Sequence, residues 1–372
     1  MSIPLSRPDI GYMEKKIVME VLDSGWLSLG PKLEEFEKKV ANYIGTRYAI
    51  AVNSGTSGLH LLIKSMNIGK GDEVITTPFS FIASSNCILY EGAVPVFVDI
   101  DPNTLCIDVN KIEDAITEKT KAILPVDVFG QPANMTEIMN IARKYGLKVI
   151  EDSCEAIGAE HRSRKVGTYA DGSVFAFYPN KQITTGEGGV IVTDNKEIAQ
   201  CCRSLRNQGR SENGQWLEHI RLGYNYRLDE ISCALGIVQL SRIEEILQKR
   251  SKIAEIYNSL LSKISDIKIL SIDENTTKMS WFVYVIQLSK RINRNKVMRY
   301  LIDKGVNCKP YFTPIHLQPF YVNKLGYKQG DFPVTEKVAD STLALPFFNN
   351  LKYKDIYRVV KELKEVVGGR RP

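Results

Sequence analysis

One lysine, Lys181, stands between an apolar run and a glycine-rich turn in the stretch FAFYPNKQITTGEGG, which begins at Phe175 and ends at Gly189. A lysine in a loop is usually solvated, but an apolar pocket lowers the pKa of an amine and makes it a nucleophile that can form a Schiff base. The glycines after it let the backbone approach a ligand closely. This stretch alone leaves both interpretations of Lys181 open.

Three other stretches carry groups that a phosphate-bearing cofactor could use. LKVIEDSCEAIGA brings Glu151 and Asp152 to the end of an apolar run, where a carboxylate either faces a ligand or caps the next helix. NSGTSGLHLL joins a glycine turn to a helix start, whose free N–H groups suit a phosphate, although it is neither a Walker loop nor a dinucleotide fingerprint. TTPFSFIASSN places Phe79 and Phe81 near another strand end, as core residues or as a stacking platform.

Together these stretches supply the groups that pyridoxal phosphate requires. They offer an amine for a Schiff base, a carboxylate that can keep a pyridine nitrogen protonated, a ring that can stack on the cofactor, and a helix start for the phosphate. Pyridoxal phosphate (PLP) is therefore the predicted cofactor.

Composition narrows the class of protein. The chain has 372 residues, of which 44% are hydrophobic and 25% charged, as in globular proteins. Its 49 basic and 43 acidic residues leave a net charge of +6 that is spread along the chain, which does not indicate a nucleic-acid-binding protein. The sequence shows no signal peptide and no apolar run of membrane-spanning length, so we expect a cytoplasmic protein without membrane contact. Seven cysteines without a CxxC spacing and four scattered histidines favour reduced, buried thiols over a metal site.

Short apolar runs alternate with segments of helical spacing over the first two thirds of the chain. The runs are YAIAVNS, DEVITT, AVPVFVDI, KAILPVDVF, LKVIEDS, SVFAFY and GVIVTD. This alternation predicts an α/β domain with a mainly parallel sheet, whose ligands bind at the carboxyl ends of the strands. After Arg227 the pattern changes to a long helical segment, then a strand in SWFVYVIQL and helices near 293–304 and 352–366. We expect a large domain at 1–245 and a small C-terminal domain at 246–372.

The order and spacing of six motifs resemble the DegT/StrS-like nucleotide-sugar aminotransferases, from near residue 3 to beyond residue 350. These motifs are NSGTSGLHL, GDEVITTPFSFIAS, VPVFVDID, VIEDSCEAIGA, FYPNKQITTGEGG and GYNYRLDEISCALG. The resemblance implies PLP fold type I of the aspartate aminotransferase superfamily, with a mixed, mainly parallel seven-stranded sheet and a smaller α+β C-terminal domain. It also implies a homodimer with shared active sites that moves an amino group from glutamate to a keto group on a nucleotide-linked sugar.

The resemblance also assigns residues to roles. Lys181 matches the lysine that holds the cofactor as a Schiff base and moves the proton, and Asp152 matches the partner of the pyridine nitrogen. The cofactor-binding positions implied by the resemblance are Gly55, Thr56 and Ser57 at the phosphate, Phe81 on the ring, Glu155 near the ring hydroxyl, and Asn225, which reaches the phosphate of the neighbouring subunit. The expected substrate-binding positions are Arg227, His316 in the loop TPIHLQPFY, and Tyr178.

This chain departs from the family pattern at three positions. Ala176 replaces a frequent serine that donates to the phosphate, Glu155 replaces a glutamine, and Asp127 replaces a histidine. None of these changes removes an essential role, although the loss of the serine hydroxyl predicts weaker retention of the cofactor.

The acceptor and two alternative functions stay open at the level of the sequence. LRNQGRSENGQWLEHIRLGYNYRL and KPYFTPIHLQPFY resemble the branch that contains the GDP-perosamine synthases, which favours a 4-keto-6-deoxyhexose as the acceptor. The alternatives are a PLP-dependent sugar dehydratase, disfavoured because related dehydratases carry histidine where this chain has Lys181, and a non-catalytic regulatory homologue. The nucleotide, the stereochemistry of the sugar and the choice between carbon 3 and carbon 4 remain undetermined.

Overall fold

The computed structural model describes residues 2–211 and 215–368. Its α-helices are α1 (Tyr12–Ser24), α2 (Pro31–Ile44), α3 (Gly55–Ser65), α4 (Ala83–Tyr90), α5 (Met135–Tyr145), α6 (Lys196–Arg206), α7 (Glu230–Ser241), α8 (Ile243–Leu261), α9 (Arg294–Asp303), α10 (Pro319–Leu325), α11 (Pro333–Ser341) and α12 (Tyr353–Val367). Its strands are β1 (Tyr48–Val52), β2 (Glu73–Thr76), β3 (Val94–Phe97), β4 (Thr120–Ile123), β5 (Lys148–Asp152), β6 (Glu160–His161), β7 (Arg164–Lys165), β8 (Gly172–Ala176), β9 (Gly189–Thr193), β10 (Ile267–Ile269), β11 (Thr276–Lys278), β12 (Tyr284–Leu288) and β13 (Thr342–Leu345).

The seven apolar runs of the first two thirds of the chain form one sheet. Its strand order is β1-β9-β8-β5-β4-β2-β3, and β9 pairs antiparallel with both of its neighbours while the other strand pairs are parallel. This mixed, mainly parallel seven-stranded sheet confirms the predicted α/β fold. The carboxyl ends of the six parallel strands, and the start of β9, therefore lie along one edge of the sheet.

Alternation along the strands divides the large core into two layers. In β1, Ile50 and Val52 belong to a core that also contains residues of α3, α5 and α6, whereas Ala49 and Ala51 belong to a core with residues of α2 and α7. Successive side chains of a strand point to opposite faces. The sheet is thus covered by helices on both sides, as parallel sheets require.

A second, smaller core lies around the antiparallel sheet β10-β12-β13, with apolar residues of α8, α9 and α12. Helix α8 joins the two cores, because Ile246 and Leu247 pack in the large one and Ile253 and Ala254 in the small one. Ile3 also packs in the small core. The domain limits 1–245 and 246–372 stay a prediction.

The long helical segment after Arg227 was predicted as one unit but forms two helices. Arg242, between α7 and α8, has φ −106° and ψ 8°, which is outside the α-helical region. Its guanidinium binds the buried Glu14 carboxylate at 2.6 Å and Asp9 at 3.2 Å. These contacts tie the break to the N-terminal segment, and this long-range interaction has no local sequence pattern.

None of the helices in the described part of the chain is both long and apolar enough to cross a membrane.

Candidate active site

A cavity of about 490 Å³ opens at the edge where the parallel strands end. Its walls come from the loops after β1, β2, β4, β5 and β8 and from two remote segments near residues 282 and 311. The residues that line the cavity include Gly55, Thr56, Phe81, Ser84, Asp152, Glu155, Ala176, Tyr178, Asn180, Lys181, Phe282, Tyr311 and Phe312. The volume falls within the range of small-molecule sites, roughly 300 to 1,000 Å³.

Lys181 lies in the loop between β8 and β9, and its side chain is 13% exposed. The backbone N–H of Lys181 donates to the carbonyl of Tyr178 at 2.9 Å, which turns the loop back over the end of β8. The Nζ atom lies 3.5 Å from Oε1 of Glu155 and 4.0 Å from the centroid of the Phe282 ring. The amine is thus enclosed between a carboxylate and an aromatic face, instead of being solvated.

Asp152 is the last residue of β5 and is buried. Its Oδ2 accepts the Ser84 hydroxyl at 2.6 Å, and its Oδ1 accepts the Cys154 N–H at 3.2 Å. Ser80 can donate to the Ser84 oxygen at 2.8 Å, which leaves the Ser84 proton for the carboxylate. Two donors therefore orient the Asp152 carboxylate in the cavity wall, a ligand-facing position instead of a simple helix cap.

The start of α3 forms another wall of the cavity. Ser54 caps the helix by accepting the Ser57 N–H at 3.1 Å, while the N–H groups of Gly55 and Thr56 have no acceptor among the residues that the structure describes. A Cβ atom on Gly55 would lie 2.8 Å from both Ala176 Cβ and Cys154 Sγ. Only glycine lets the helix start come this close to the end of β8.

Three buried carboxyl groups lie in or beneath the cavity wall: Glu155, Asp127 and Glu151. Burial raises the pKa of the Glu155 carboxyl, while the Lys181 ammonium and the Phe129 N–H, which donates to Glu155 at 2.9 Å, act against that rise. Asp127 accepts from Ala133 N–H at 2.8 Å and from the Ser153 hydroxyl at 2.7 Å, without lining the cavity. Burial, followed by the charge of Glu151, raises the pKa of Asp127 well above its ordinary value.

The aromatic residues of the cavity come from distant parts of the chain. Phe81 is 63% exposed and Tyr178 52% exposed, so each presents a free ring at the mouth. Tyr311 and Phe312 line the cavity from the C-terminal third of the chain. Tyr311, Phe312 and Phe282 were not predicted, because nothing in their local sequence pattern distinguishes them from core aromatics.

Four predicted site residues do not line the cavity of their own chain. Ser57 is buried, and its hydroxyl donates to Asn53 Oδ1 at 2.7 Å. Asn225 is exposed, and Arg227 donates to Asn207 Oδ1 at 3.0 Å. His316 is fully buried beside Phe332, and its Nε2 lies 3.0 Å from Glu336 Oε1.

The residues of the cavity fit pyridoxal phosphate. The amine, the oriented carboxylate and the N–H groups of Gly55 and Thr56 line one space, and the rings of Phe81 and Tyr178 stand at its mouth. Oδ1 of Asn180, which also lines the cavity, is buried and has no partner among the described residues. A buried polar atom without a partner indicates a group that is missing from the protein alone.

Comparison with known proteins agrees with this chemistry. The chain matches the DegT/DnrJ/EryC1/StrS aminotransferase family over residues 8–364. It is 38% identical to GDP-perosamine synthase of Caulobacter vibrioides, covering 98% of both chains, and 37% identical to the spore coat polysaccharide biosynthesis protein SpsC of Bacillus subtilis, covering 99% of this chain and 97% of SpsC.

A solved structure extends the match to three dimensions. The sugar aminotransferase Spr1654 of Streptococcus pneumoniae, described as putative and solved in its PLP-form, superposes with a TM-score of 0.94 at 28% identity and covers 99% of both chains. The same protein is also known in a PMP-form. The chain therefore belongs to the DegT/DnrJ/EryC1/StrS aminotransferase family, and it is a PLP-dependent transaminase.

Proposed function

We propose that this chain moves an amino group from glutamate to the 4-keto group of a nucleotide-linked 6-deoxyhexose, with Lys181 as the residue that holds the cofactor. The observation that carries the proposal is the enclosure of the Lys181 amine in one cavity with Asp152 and the start of α3. These are the three groups that the cofactor needs for its aldehyde, its ring nitrogen and its phosphate.

Each residue of the cavity is assigned a separate role toward the cofactor. When bound, pyridoxal phosphate supplies an aldehyde that condenses with amines and a ring that withdraws electrons from the carbon next to the nitrogen. The Lys181 amine lies where it can bind that aldehyde and afterwards carry a proton, with Glu155 at 3.5 Å as its nearest carboxylate. Asp152 holds a proton at the ring nitrogen, and the N–H groups of Gly55 and Thr56 bind the phosphate.

The acceptor is proposed from the relatives and from the shape of the site. One relative is named as a GDP-perosamine synthase, and the resemblance of this chain to that branch favours a 4-keto-6-deoxyhexose. The exposed ring of Tyr178 at the cavity mouth, with Tyr311 and Phe312 beside it, offers an apolar face for a sugar, while Phe81 is assigned to the cofactor ring. His316 has no contact with this cavity, so the proposed site leaves it with a packing role.

The active unit is proposed to be a homodimer in which each subunit completes the site of the other. Asn225 is exposed and lies outside the cavity of its own chain, while the family resemblance assigns it to the phosphate of the neighbouring subunit. Arg227 follows on the same segment and is proposed to bind the carboxylate of glutamate. A two-fold axis would bring both residues to both sites, because each subunit offers the same surface to the other.

A panel of nucleotide-linked ketosugars tests this function. The PLP-loaded protein is incubated with glutamate and with 4-keto-6-deoxyhexoses carrying GDP, UDP or dTDP, and 3-keto sugars serve as the matched control. We expect 2-oxoglutarate to form with one 4-keto sugar, and NMR to place the new amine on carbon 4. Loss of a sugar hydroxyl without formation of 2-oxoglutarate would instead establish a dehydratase, and an amine on carbon 3 would overturn the proposed regiochemistry.

A further inference from the structure

Successive side chains of the segment GYNYR, residues 223–227, point in two opposite directions. Tyr224 and Tyr226 are half-buried and stack on each other with ring centroids 4.9 Å apart and planes at 10°, whereas Asn225, between them, is exposed. Side chains of an extended segment point alternately to opposite sides. The two tyrosines therefore face their own subunit, and Asn225 points away from it.

The two tyrosine rings meet a compact polar cluster beneath the segment. We call this cluster the tyrosine anchor; it consists of His60, Lys64, Glu91, Tyr224 and Tyr226. The Tyr224 hydroxyl donates to Glu91 Oε1 at 2.9 Å, and Lys64 Nζ binds Glu91 Oε2 at 2.7 Å. The His60 ring lies 4.8 Å from the Tyr224 ring and 5.9 Å from the Tyr226 ring.

Hydrogen-bond directions make the anchor a single connected network. His60 Nε2 lies 2.7 Å from Glu91 Oε1, and a carboxylate can only accept, so Nε2 carries the proton. Burial lowers the pKa of the His60 imidazole, and although the Glu91 carboxylate opposes this shift, the lowered pKa favours the neutral ring. Nδ1 of a neutral ring then accepts from the Tyr226 hydroxyl at 3.2 Å. Both tyrosine hydroxyls are thus fixed to Glu91, one directly and one through His60.

The tyrosine anchor fixes the direction of the side chains in the GYNYR segment. Between α6 and α7 the GYNYR segment forms no regular strand. Its backbone is held by an isolated antiparallel bridge between Asn207 and Asn225 and by N–H bonds from Tyr224 to Leu205 and from Tyr226 to Arg206, at 2.6 and 2.9 Å. The carbonyl of Tyr226 accepts the Asn53 N–H at 2.9 Å, next to the start of α3. Despite this proximity, Asn225 does not line the cavity of its own chain.

An apolar contact would hold the segment without specifying a direction, whereas a satisfied polar network permits one arrangement. We infer that the tyrosine anchor is a positioning device that directs Asn225 out of its own subunit and into the active site of a second copy of the chain. This inference rests on the shared site proposed above. It assigns a role in the partner's chemistry to Glu91, a residue that lies outside the cavity.

Mixed dimers with two affinity tags test the inference. One subunit carries Lys181→Ala, so the only active cavity belongs to the other subunit, which borrows its Asn225 from the lysine-less chain. Glu91→Gln is then placed on either chain. We expect activity to fall about tenfold or more, the scale of one hydrogen bond to a charged group, when Glu91→Gln is on the lysine-less chain, and to change less than about twofold when it is on the other.

The two mixed dimers contain the same two substitutions and differ only in whether these share a chain, so a general loss of stability affects both alike. Tyr224→Phe, which removes only the hydroxyl, should show the same dependence on placement. Glu113→Gln is the matched control, because Glu113 also binds a lysine, Lys144 at 2.9 Å, and a tyrosine hydroxyl, that of Tyr145 at 3.1 Å, in another part of the molecule. It should have no effect on either chain.

Asn225→Ala in the same two placements separates this inference from the shared site. If Asn225→Ala acts only on the lysine-less chain while Glu91→Gln and Tyr224→Phe act equally in both placements or in neither, the site is shared and the positioning role is wrong. If Asn225→Ala acts only on the chain that keeps Lys181, the shared site itself is wrong, and the inference is overturned with it.

Discussion

The edge of the sheet and the GYNYR segment position their functional side chains by different means. At the sheet edge, Asp152 is the last residue of β5 and Lys181 lies in the loop that follows the adjacent strand β8, so the hydrogen-bonded ladder of β5 and β8 brings both positions to the same edge. At the segment, Asn225 has only isolated backbone bonds, and the hydroxyls of Tyr224 and Tyr226 set its direction. A site built on strand ends tolerates side-chain changes in its surroundings better than one built on side-chain anchors.

The largest expected effect is at the sheet edge. Lys181→Ala removes the amine that binds the cofactor and carries the proton, and we expect 2-oxoglutarate formation to fall on the order of a thousandfold, within the range of lost proton-transfer catalysis. The fold should persist because no strand hydrogen bond is lost, although the melting temperature should fall somewhat since the buried Glu155 loses its cation. Full activity in this variant would show that the cavity is not the catalytic one.

The second largest effect is expected from removing the negative charge of Asp152 while keeping the size of its side chain. Asp152→Asn keeps an acceptor for the Ser84 hydroxyl but cannot hold a proton at a ring nitrogen, so turnover should fall roughly a hundredfold, as when a preorganised electrostatic contact is removed. Absorbance should show that the cofactor is still bound. Ser84→Ala, which removes only the supporting hydroxyl, should lose much less, and near-normal turnover of Asp152→Asn would contradict a role for the Asp152 charge in catalysis.

The third prediction concerns how the buried Glu151, next to Asp152 in β5, makes the free energy of unfolding depend on pH. Burial raises the pKa of Glu151 from its ordinary 4.5 to about 7, despite donors from Ser173 and Gly167 and the charge of Arg164. Between those values the folded chain binds more protons than the unfolded chain, so the free energy of unfolding falls as pH rises. Glu151→Gln should remove on the order of 1 to 3 kcal/mol of this fall, because each pKa unit corresponds to about 1.4 kcal/mol.

Denaturant unfolding of the apo proteins at pH 4.5 and at pH 7 measures this difference. Asp127, whose pKa is also raised, is present in both proteins, but Glu151→Gln removes the Glu151 charge that contributes to that rise, so the measured difference includes a change at Asp127 as well. Ser173→Ala removes a donor to the ionised Glu151 and should make the fall steeper. Equal pH dependence in wild type and in Glu151→Gln would mean that Glu151 stays ionised in the fold.

The smallest effect is at the departure from the family pattern. Ala176 lines the cavity beside the start of α3, and Ala176→Ser adds one neutral donor there. We expect cofactor loss during dialysis to slow by up to about fivefold, which corresponds to about 1 kcal/mol for one hydrogen bond. Ala176→Cys is the matched control, with a similar volume and a weaker donor. Faster loss in Ala176→Ser would show that another residue already fills this position.

Sequence patterns identified the part of the molecule that strand topology controls. Seven apolar runs became the seven strands of one sheet. Asp152 ends such a run and Gly55 and Thr56 follow one, while Lys181 was recognised by its position between an apolar run and a glycine turn. Parallel strands bring such positions to one edge. The same reasoning gave a helix start for the phosphate without any knowledge of distances.

Residues that reach the site from remote segments could not be predicted. Phe282 contacts Lys181 and Tyr311 lines the cavity only because the C-terminal part of the chain folds back over the sheet edge. His316 was expected at the substrate from its loop, but the structure buries it beside Glu336 and outside the cavity. Tertiary packing decides such positions, and local periodicity carries no information on it.

Chemical trapping of the cofactor tests the central claim most directly. The PLP-loaded protein is reduced with borohydride, digested and mapped by mass spectrometry, with Lys181→Ala treated in parallel. The account predicts one pyridoxyl-modified peptide that contains Lys181 and no modified peptide in the variant. A pyridoxyl group on a different lysine of an active preparation would contradict the assignment of this cavity as the active site.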